Sequence, residues 1–566
     1  MTDATPSAKP DEDPIPDARP APALDAQPAP APHAPPAFAP QTPPTAPPGR
    51  PPRPMPPRPG FVARHWPAPT RSGSLALPAA IGVSAVLAAL FVPLTASGVG
   101  WLLGGAGIVG AVAVATRSIG TDLPARERLI RAGWAAAALA LLSVLTFRNA
   151  WWLVTFCVFG ALGCAIMATV GGRSARAIMF GLIGAPVATA RCQAWVARSL
   201  VRVSRESGAQ VATARRLTLS VGLSMLVLLV FGSLLASADA AFGEVLFAIV
   251  PEIGFGSVVS GVFLFLVGGF MAGGIMFGLA SPPDLSGWEG SATNQVGRTT
   301  WALPIGTLVV LFGAFVAVQL TALFGGREHL LRTAGLSAAE YARSGFWQLM
   351  IVTILTLAVV LAVTRWAKQA PGPDRRLLRV LLGPLCVLSV VIVLSALSRM
   401  YTYQRAYSFT GERIFVMSVE LLLGLVFLMI LAAGVAWRGA WVPRAVVGLL
   451  VAMLLGLAWI NPEGFAARAN VARYQDTGKI DLWYLRALSA DATPALAKLP
   501  PEMRACALSW ISEELRGEDR WHEWNLGRAR ARAALRKVGP LTGQGCRDAS
   551  RYDDSGRGRL TPAAPN

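Results

Sequence analysis

Three arginines, Arg399, Arg405 and Arg413, and three tyrosines, Tyr401, Tyr403 and Tyr407, fall within one short stretch, RMYTYQRAYSFTGER. Guanidinium groups clustered in this way can grip a phosphate or a carboxylate through paired N–H donors. Anchoring of the arginines and tyrosines at lipid headgroups is the plainer reading of the same residues. Glu420 follows about two turns into an apolar run, where an unpaired carboxylate is costly or stays protonated. It is a candidate acid or base, or half of a structural ion pair with Arg399, Arg405 or Arg413. Asp239, Glu244 and Glu252 form an acidic patch with no base in their own loop, and arginines facing them across the fold would neutralise it.

Familiar chemistry is otherwise missing. The histidines, His33, His65, His329 and His522, all lie outside the apolar runs, and no HExxH, Walker, GxSxG or histidine-kinase pattern occurs. No spacing among the six cysteines resembles a metal knuckle or a CxxC redox pair. The sequence therefore implies no metal and no cofactor, and it carries no recognised catalytic motif.

The elements that must position these groups are membrane helices. Of 566 residues, 53% are hydrophobic and 15% charged, with a mean hydropathy of +0.49. Many uncharged windows are long enough for a hydrocarbon core of about 30 Å. The fold class is all-α, a polytopic transmembrane bundle of about eleven helices with cores at 75–96, 98–115, 132–147, 150–171, 217–238, 257–279, 301–324, 346–365, 377–398, 414–436 and 443–460. Ala177–Val196, interrupted by Pro186 and Arg191 and followed by an arginine run, reads as a segment on the membrane surface or dipping in partway. Glycines at four-residue intervals, Gly269 with Gly273 and Gly274 with Gly278, suit close helix packing.

Residues 1–72 are a Pro- and Ala-rich tail with no hydrophobic period, expected to be disordered. The bundle covers 73–460, a soluble helical domain 461–540 and a flexible tail 541–566. In the domain, Asp481–Leu488, Asp491–Leu499, Glu502–Arg516 and Trp521–Lys537 read as amphipathic helices. Loop 325–345 contains a capping box, Ser337 to Glu340.

The formal charge is +19, but the basic residues sit in loops and ends, as insertion of a membrane protein requires; nucleic acid is not the expected partner. The Lys and Arg asymmetry of the loops places the N-terminus in the cytoplasm, and an odd number of spans then puts the C-terminal domain on the outer side. There Cys506 and Cys546 are either disulfide-bonded or free thiols.

Three phrases, FGGREHLLRTAGLSAAEYARSGFWQL (Phe324–Leu349), RMYTYQRAYSFTGERIFV (Arg399–Val416) and NPEGFAARANVARYQDTGKIDLWYLRALSADATPAL (Asn461–Leu496), with ADAAF at Ala238, resemble a bacterial integral-membrane family. It is the one called domain of unknown function 4173, related to the 4153 type. The likeness covers about residues 210–500. Matching positions include Asp239, Arg343, Arg399, Tyr403, Tyr407 and Arg413, and in the C-terminal part Asn461, Asn470, Arg473, Tyr474, Asp481, Tyr484, Ser489, Asp491 and Pro494. Ser408-Phe409 departs from the glycine-leucine of that pattern. The resemblance implies a multi-pass bacterial membrane protein and no established reaction.

The resulting expectation is a non-enzymatic protein of the bacterial inner membrane, serving transport, envelope sensing or scaffolding. Its partners are the lipid bilayer, an anionic lipid or lipid-linked ligand, and a protein docking on the C-terminal domain. The alternative is a membrane-embedded enzyme or flippase acting on a lipid-linked anionic substrate. The stretch 399–413, loop 325–345 and the residues after Asn461 are expected to pack together.

Overall fold

The computed structural model describes residues 64–67, 69, 76–119, 124–206, 255–285, 296–324, 338–541 and 546, with single positions at 220, 224, 227, 231, 235 and 239. The N-terminal tail, the helix expected at 217–238, Ser337, most of loop 325–345 and almost all of the last segment lie outside the described residues. Those described from Trp66 onward belong to one compact unit.

Eleven bundle helices follow in order: α1 (Ala76–Phe91), α2 (Val99–Ile119), α3 (Ala125–Phe147), α4 (Trp151–Val170), α5 (Ala175–Glu206), α6 (Phe255–Ala280), α7 (Arg298–Phe324), α8 (Ala338–Trp366), α9 (Pro373–Tyr407), α10 (Gly411–Ala436) and α11 (Val442–Ile460). Among the described residues, ten of these are long and apolar enough to cross a membrane, and α1, at 16 residues, is shorter. Large apolar side chains point outward along them, as a lipid-facing surface requires: Val310, Leu303, Val318 and Val380 are all exposed.

The bundle has two distinct ends. One, the basic end, gathers the start of α3, the end of α4 and the start of α11. Arg131 donates to the Thr169 carbonyl (2.6 Å), and Arg444 donates to the Gly172 carbonyl (2.8 Å) and pairs with Glu127 (3.1 Å). Arg298 pairs with Asp374, while Arg375 and Arg379 lie over the Trp437 ring at 4.9 and 5.4 Å. The opposite end carries the short connections around Ser97, Asn149 and Phe409, and the C-terminal helices start there.

The glycine rows of α6 are packing surfaces. A Cβ at Gly268 or Gly269 would meet Ala85 or Ala88 of α1, one at Gly274 would meet Thr189, and one at Gly278 would meet Trp66. These contacts also fix direction: α6 runs antiparallel to α1 and finishes at the basic end.

Helix α5 runs across α6 and not along it. Phe180 and Trp195 are fifteen positions apart, about 22 Å of helix. Yet Phe180 lies 6.4 Å from Trp66, Trp66 6.4 Å from Phe277, and Phe277 6.1 Å from Trp195, centroid to centroid. Between them Thr189 and Cys192 reach Gly274 and Gly273. The segment expected to lie on the membrane surface or dip in partway is one continuous helix that carries Pro186 within it, and by length and apolarity it is one of the ten able to cross a membrane.

The C-terminal part comprises α12 (Pro462–Thr477), α13 (Leu482–Arg486), a 3-10 turn at Ala490–Ala492, α14 (Thr493–Leu496), α15 (Pro501–Ala507), α16 (Ser509–Glu514), a second 3-10 turn at Trp521–Glu523 and α17 (Leu526–Val538). Leu485, Leu488, Leu496, Met503, Leu508 and Ile511 form its core, and Cys506 is disulfide-bonded to Cys546. The expected helix over Glu502–Arg516 is broken at Leu508, and the one over Trp521–Lys537 starts only at Leu526, because Asn525 caps it by accepting from the Arg528 amide. Helix α12 was not anticipated; Asn461, at φ 56°, ends α11 and caps α12 at once.

Candidate functional site

The C-terminal helices are bonded to three separate inter-helix connections at one end of the bundle. The first is the elbow between α9 and α10. The Asn470 side chain takes both backbone groups of Phe409, accepting from its N–H at 3.1 Å and donating to its carbonyl at 2.8 Å. The Gly411 N–H donates to the Tyr484 hydroxyl at 2.8 Å; burial, as the largest cause, pushes that phenol well above its ordinary value. Thr410 caps α10 through the Arg413 amide.

The second connection is 148–150, between α3 and α4. One Asp491 oxygen accepts from the amides of Asn149 (2.7 Å) and Ala150 (3.3 Å), at the N-terminus of α4, where a carboxylate complements the helix dipole. Asp491 is only 6% exposed, and burial pushes its carboxyl up to about 6 despite these bonds and the nearby Arg148. Glu463, also buried, accepts from the Trp152 indole (3.1 Å) and from the Ser489 amide (2.7 Å).

The third is Ser97. Buried Asn525 donates to the carbonyls of Leu145 (2.7 Å) and Arg148 (3.0 Å) and to the Ser97 hydroxyl (3.3 Å). Arg528, 5% exposed, donates to the Ser97 carbonyl (2.8 Å) and the Asn149 side chain (2.9 Å) and pairs with Asp519 at 3.2 Å. Arg532 joins the same carboxylate at 2.7 Å, and together these arginines hold Asp519 below the usual carboxylate range although its burial acts the other way.

Between the second connection and the C-terminal helices lies a cleft of about 320 Å³, lined by Arg148, Asn461, Gly464, Arg468, Asp491, Pro494, Lys498, Gly527 and Arg530 among others. No group of residues suited to hold a metal occurs among the described residues.

Residues 136–499, more than half of the chain, match the family described as Domain of unknown function (DUF4153). The chain belongs to the DUF4153 family. The match is to the 4153 type, not to the related 4173 type that the phrases above resemble, and it begins in α3, earlier than the expected limit near residue 210. No curated protein and no solved structure matches the chain.

In this DUF4153 protein the expected site residues do not converge on one point. Asn470, Tyr484 and Asp491 bond the C-terminal helices to the bundle; Asn461 caps α12, Asp481 caps α13 and the Ser489 amide donates to Glu463, with Tyr474 packed against the core, Pro494 lining the cleft and Arg473 half-buried on α12. Arg413 turns back on the elbow, donating to the Ser408 carbonyl at 2.6 Å and lying 4.6 Å over the Tyr403 ring. Glu420 is fully buried within the bundle, one oxygen accepting from Thr353 of α8 at 3.2 Å and the other without a hydrogen-bond partner among the described residues. Among the described residues its hydrogen-bond partner is a threonine; of the three arginines named as possible partners, Arg413 turns to the Ser408 carbonyl and the side chain of Arg405 lies outside the described ones. Arg399 is half-buried on α9 and Asp239 is exposed. The side chains of Arg343, Arg405 and Tyr407 and most of loop 325–345 lie outside the described ones.

Sequence reasoning missed Ser97, Asn149, Glu463, Asn525 and Arg528. Asn525 carries a legible signal, since it stands directly before a helix that ends in Arg536 and Lys537. The others are ordinary polar residues whose bonds between the bundle and the C-terminal helices span more than 300 positions.

Proposed function

We propose that this chain is a non-enzymatic multi-pass protein of a bacterial plasma membrane, with a cytoplasmic N-terminus, that holds its C-terminal helices as a fixed extracytoplasmic platform for envelope sensing or scaffolding. The observation that carries this reading is the bonding of those helices to three inter-helix connections at once. A merely tethered domain needs one linker. Here Asn470, Asp491 and Arg528 each engage a different connection, so a force or ligand acting on the platform is felt by α3, α4, α9 and α10 together.

The side assignment is supported by charge. Arg126, Arg128, Arg173, Lys368, Arg375, Arg376 and Arg438 belong to the connections of the basic end, the pattern of a cytoplasmic face. A disulfide in the C-terminal helices fits an oxidising compartment. Single cysteines at exposed Glu518 and exposed Lys368 test it with an impermeant maleimide. Glu518→Cys is expected to label in intact cells and Lys368→Cys only after lysis; the reverse pattern overturns the orientation.

A second reading, a membrane-embedded enzyme or flippase, draws on Glu420, whose buried oxygen without a hydrogen-bond partner among the described residues is the kind of intramembrane group that couples ions or protons. Glu420→Gln separates the two. Unchanged protein level with a lost cellular phenotype favours the second reading, and an unchanged phenotype favours the platform.

A further inference from the structure

We propose that the cleft between the α3–α4 connection and the C-terminal helices is a binding site for a phosphate-bearing anion, gripped by Arg468, Lys498 and Arg530. This goes beyond the platform reading and does not depend on which side of the membrane the cleft faces.

Four cationic side chains line the cleft against one carboxylate, Asp491. One oxygen of that carboxylate caps α4; the other lies buried beside Gly527 with no hydrogen-bond partner among the described residues. Arg148 is engaged as well, donating to the carbonyls of Ala458 (2.6 Å) and Trp459 (3.4 Å) at the end of α11. The side chains of Arg468, Lys498 and Arg530 make no hydrogen bond or ion pair among the described residues, and all three residues are exposed at the mouth. The crowding is felt electrostatically. Burial, as the largest cause, depresses Arg148; Asp491 opposes this, and the guanidinium groups of Arg530 and Arg468 depress it further.

The cations come from separate elements: Arg468 from α12, Lys498 from the segment after α14 and Arg530 from α17. No helical register forces them together, and a solvated face would spread them apart. Two glycines in its wall let the elements that carry the cations pack closely together. A Cβ at Gly464 would run into Asn461, and one at Gly527 into Asp491. A volume of about 320 Å³ accommodates a phosphate with its attached group, and guanidinium forks match phosphate oxygens two at a time. Exposed Trp459 and Phe465 mark this level of the bundle as one where a lipid headgroup comes within reach.

The test uses the full-length protein purified in a neutral detergent, with the unfolding midpoint followed by intrinsic tryptophan fluorescence. The probes are inorganic phosphate against chloride at equal ionic strength, and phosphatidylglycerol against phosphatidylcholine in mixed micelles. The comparison is the triple variant Arg468→Gln, Lys498→Gln, Arg530→Gln, whose exposed positions leave the buried contacts intact. Binding raises the midpoint of the wild type, by a few degrees at probe concentrations well above the dissociation constant, and leaves the variant unmoved. A shift with phosphatidylglycerol alone identifies a lipid headgroup as the source, and a shift with inorganic phosphate identifies the free ion. No shift with either probe, or equal shifts in wild type and variant, overturns the proposal. A variant that misfolds is replaced by the single changes, of which at least two must each reduce the shift for the proposal to stand.

Discussion

Asn470 holds both backbone polar groups of Phe409, although 61 residues separate them in the chain. A side-chain amide offers one donor and one acceptor face, and here both are spent on a single peptide unit of the elbow. Asn470→Ala leaves two partly buried backbone groups without partners and is expected to destabilise the docked C-terminal helices by about 2–3 kcal/mol. Asn470→Asp keeps the acceptor but sets a carboxylate oxygen against the Phe409 carbonyl at a buried position, so a loss at least as large is expected at neutral pH. Limited proteolysis of the full-length protein, scored at the 461–541 region, measures both.

Ser408 stands at φ 126°, a conformation that glycine adopts without strain. The resembled pattern has glycine at this position. Ser408→Gly is therefore expected to raise stability by about 1 kcal/mol, visible as a higher unfolding midpoint with the Arg413 bond to the 408 carbonyl retained. A lower midpoint would show that the serine side chain contributes more than its backbone costs.

Asp491 gives the interface a pH dependence of unusual sign. Its carboxyl is raised from 3.8 to about 6 in the folded protein, so between those values the folded state binds the extra proton. Stability contributed by this group is present below about pH 4 and is lost as the pH rises through about 6, a loss on the order of 3 kcal/mol. Asp491→Asn keeps an oxygen to accept from the Asn149 and Ala150 amides and removes the titration. The fall in midpoint between pH 5 and 7 is expected to flatten in this variant; an unchanged slope assigns it to another group.

The Cys506–Cys546 disulfide closes a loop of 40 residues within the C-terminal helices. Reduction is expected to lower their stability by about 2–4 kcal/mol. Gel-shift alkylation should find both thiols blocked in protein taken directly from cells, while Cys157, Cys164, Cys192 and Cys386, buried and free, react only after denaturation.

The bundle was legible because its signal is local. An apolar run of the right length announces a span whatever it packs against, and the boundaries of α4, α10 and α11 fall close to their expected cores. The motif residues of the C-terminal part were legible as a set, but their role was not. Asp491 reads as an acidic residue at the start of a helix, and only the folded chain brings it to the amide of Asn149, 342 positions earlier. Glu420 was placed correctly inside α10, yet its partner could not be read from sequence distance. Arg413 was the nearest base, and in the fold it turns to the Ser408 carbonyl while Thr353 of α8 meets the carboxylate. The break of the expected 502–516 helix at Leu508 likewise answers to the packing of the small core around Met503 and Ile511, not to a breaker residue.

The three connections held by the C-terminal helices belong to parts of the chain made at very different times. Ser97 and Asn149 leave the ribosome early, Phe409 much later, and Asn470, Asp491 and Arg528 last of all. Helices α1–α4 and α9–α11 therefore wait in the membrane, their end unfastened, until Asn470 through Arg528 arrive. A chain interrupted just before Asn470 has all of α1–α11 and none of the clasp, which makes this small region a checkpoint on the assembly of the bundle.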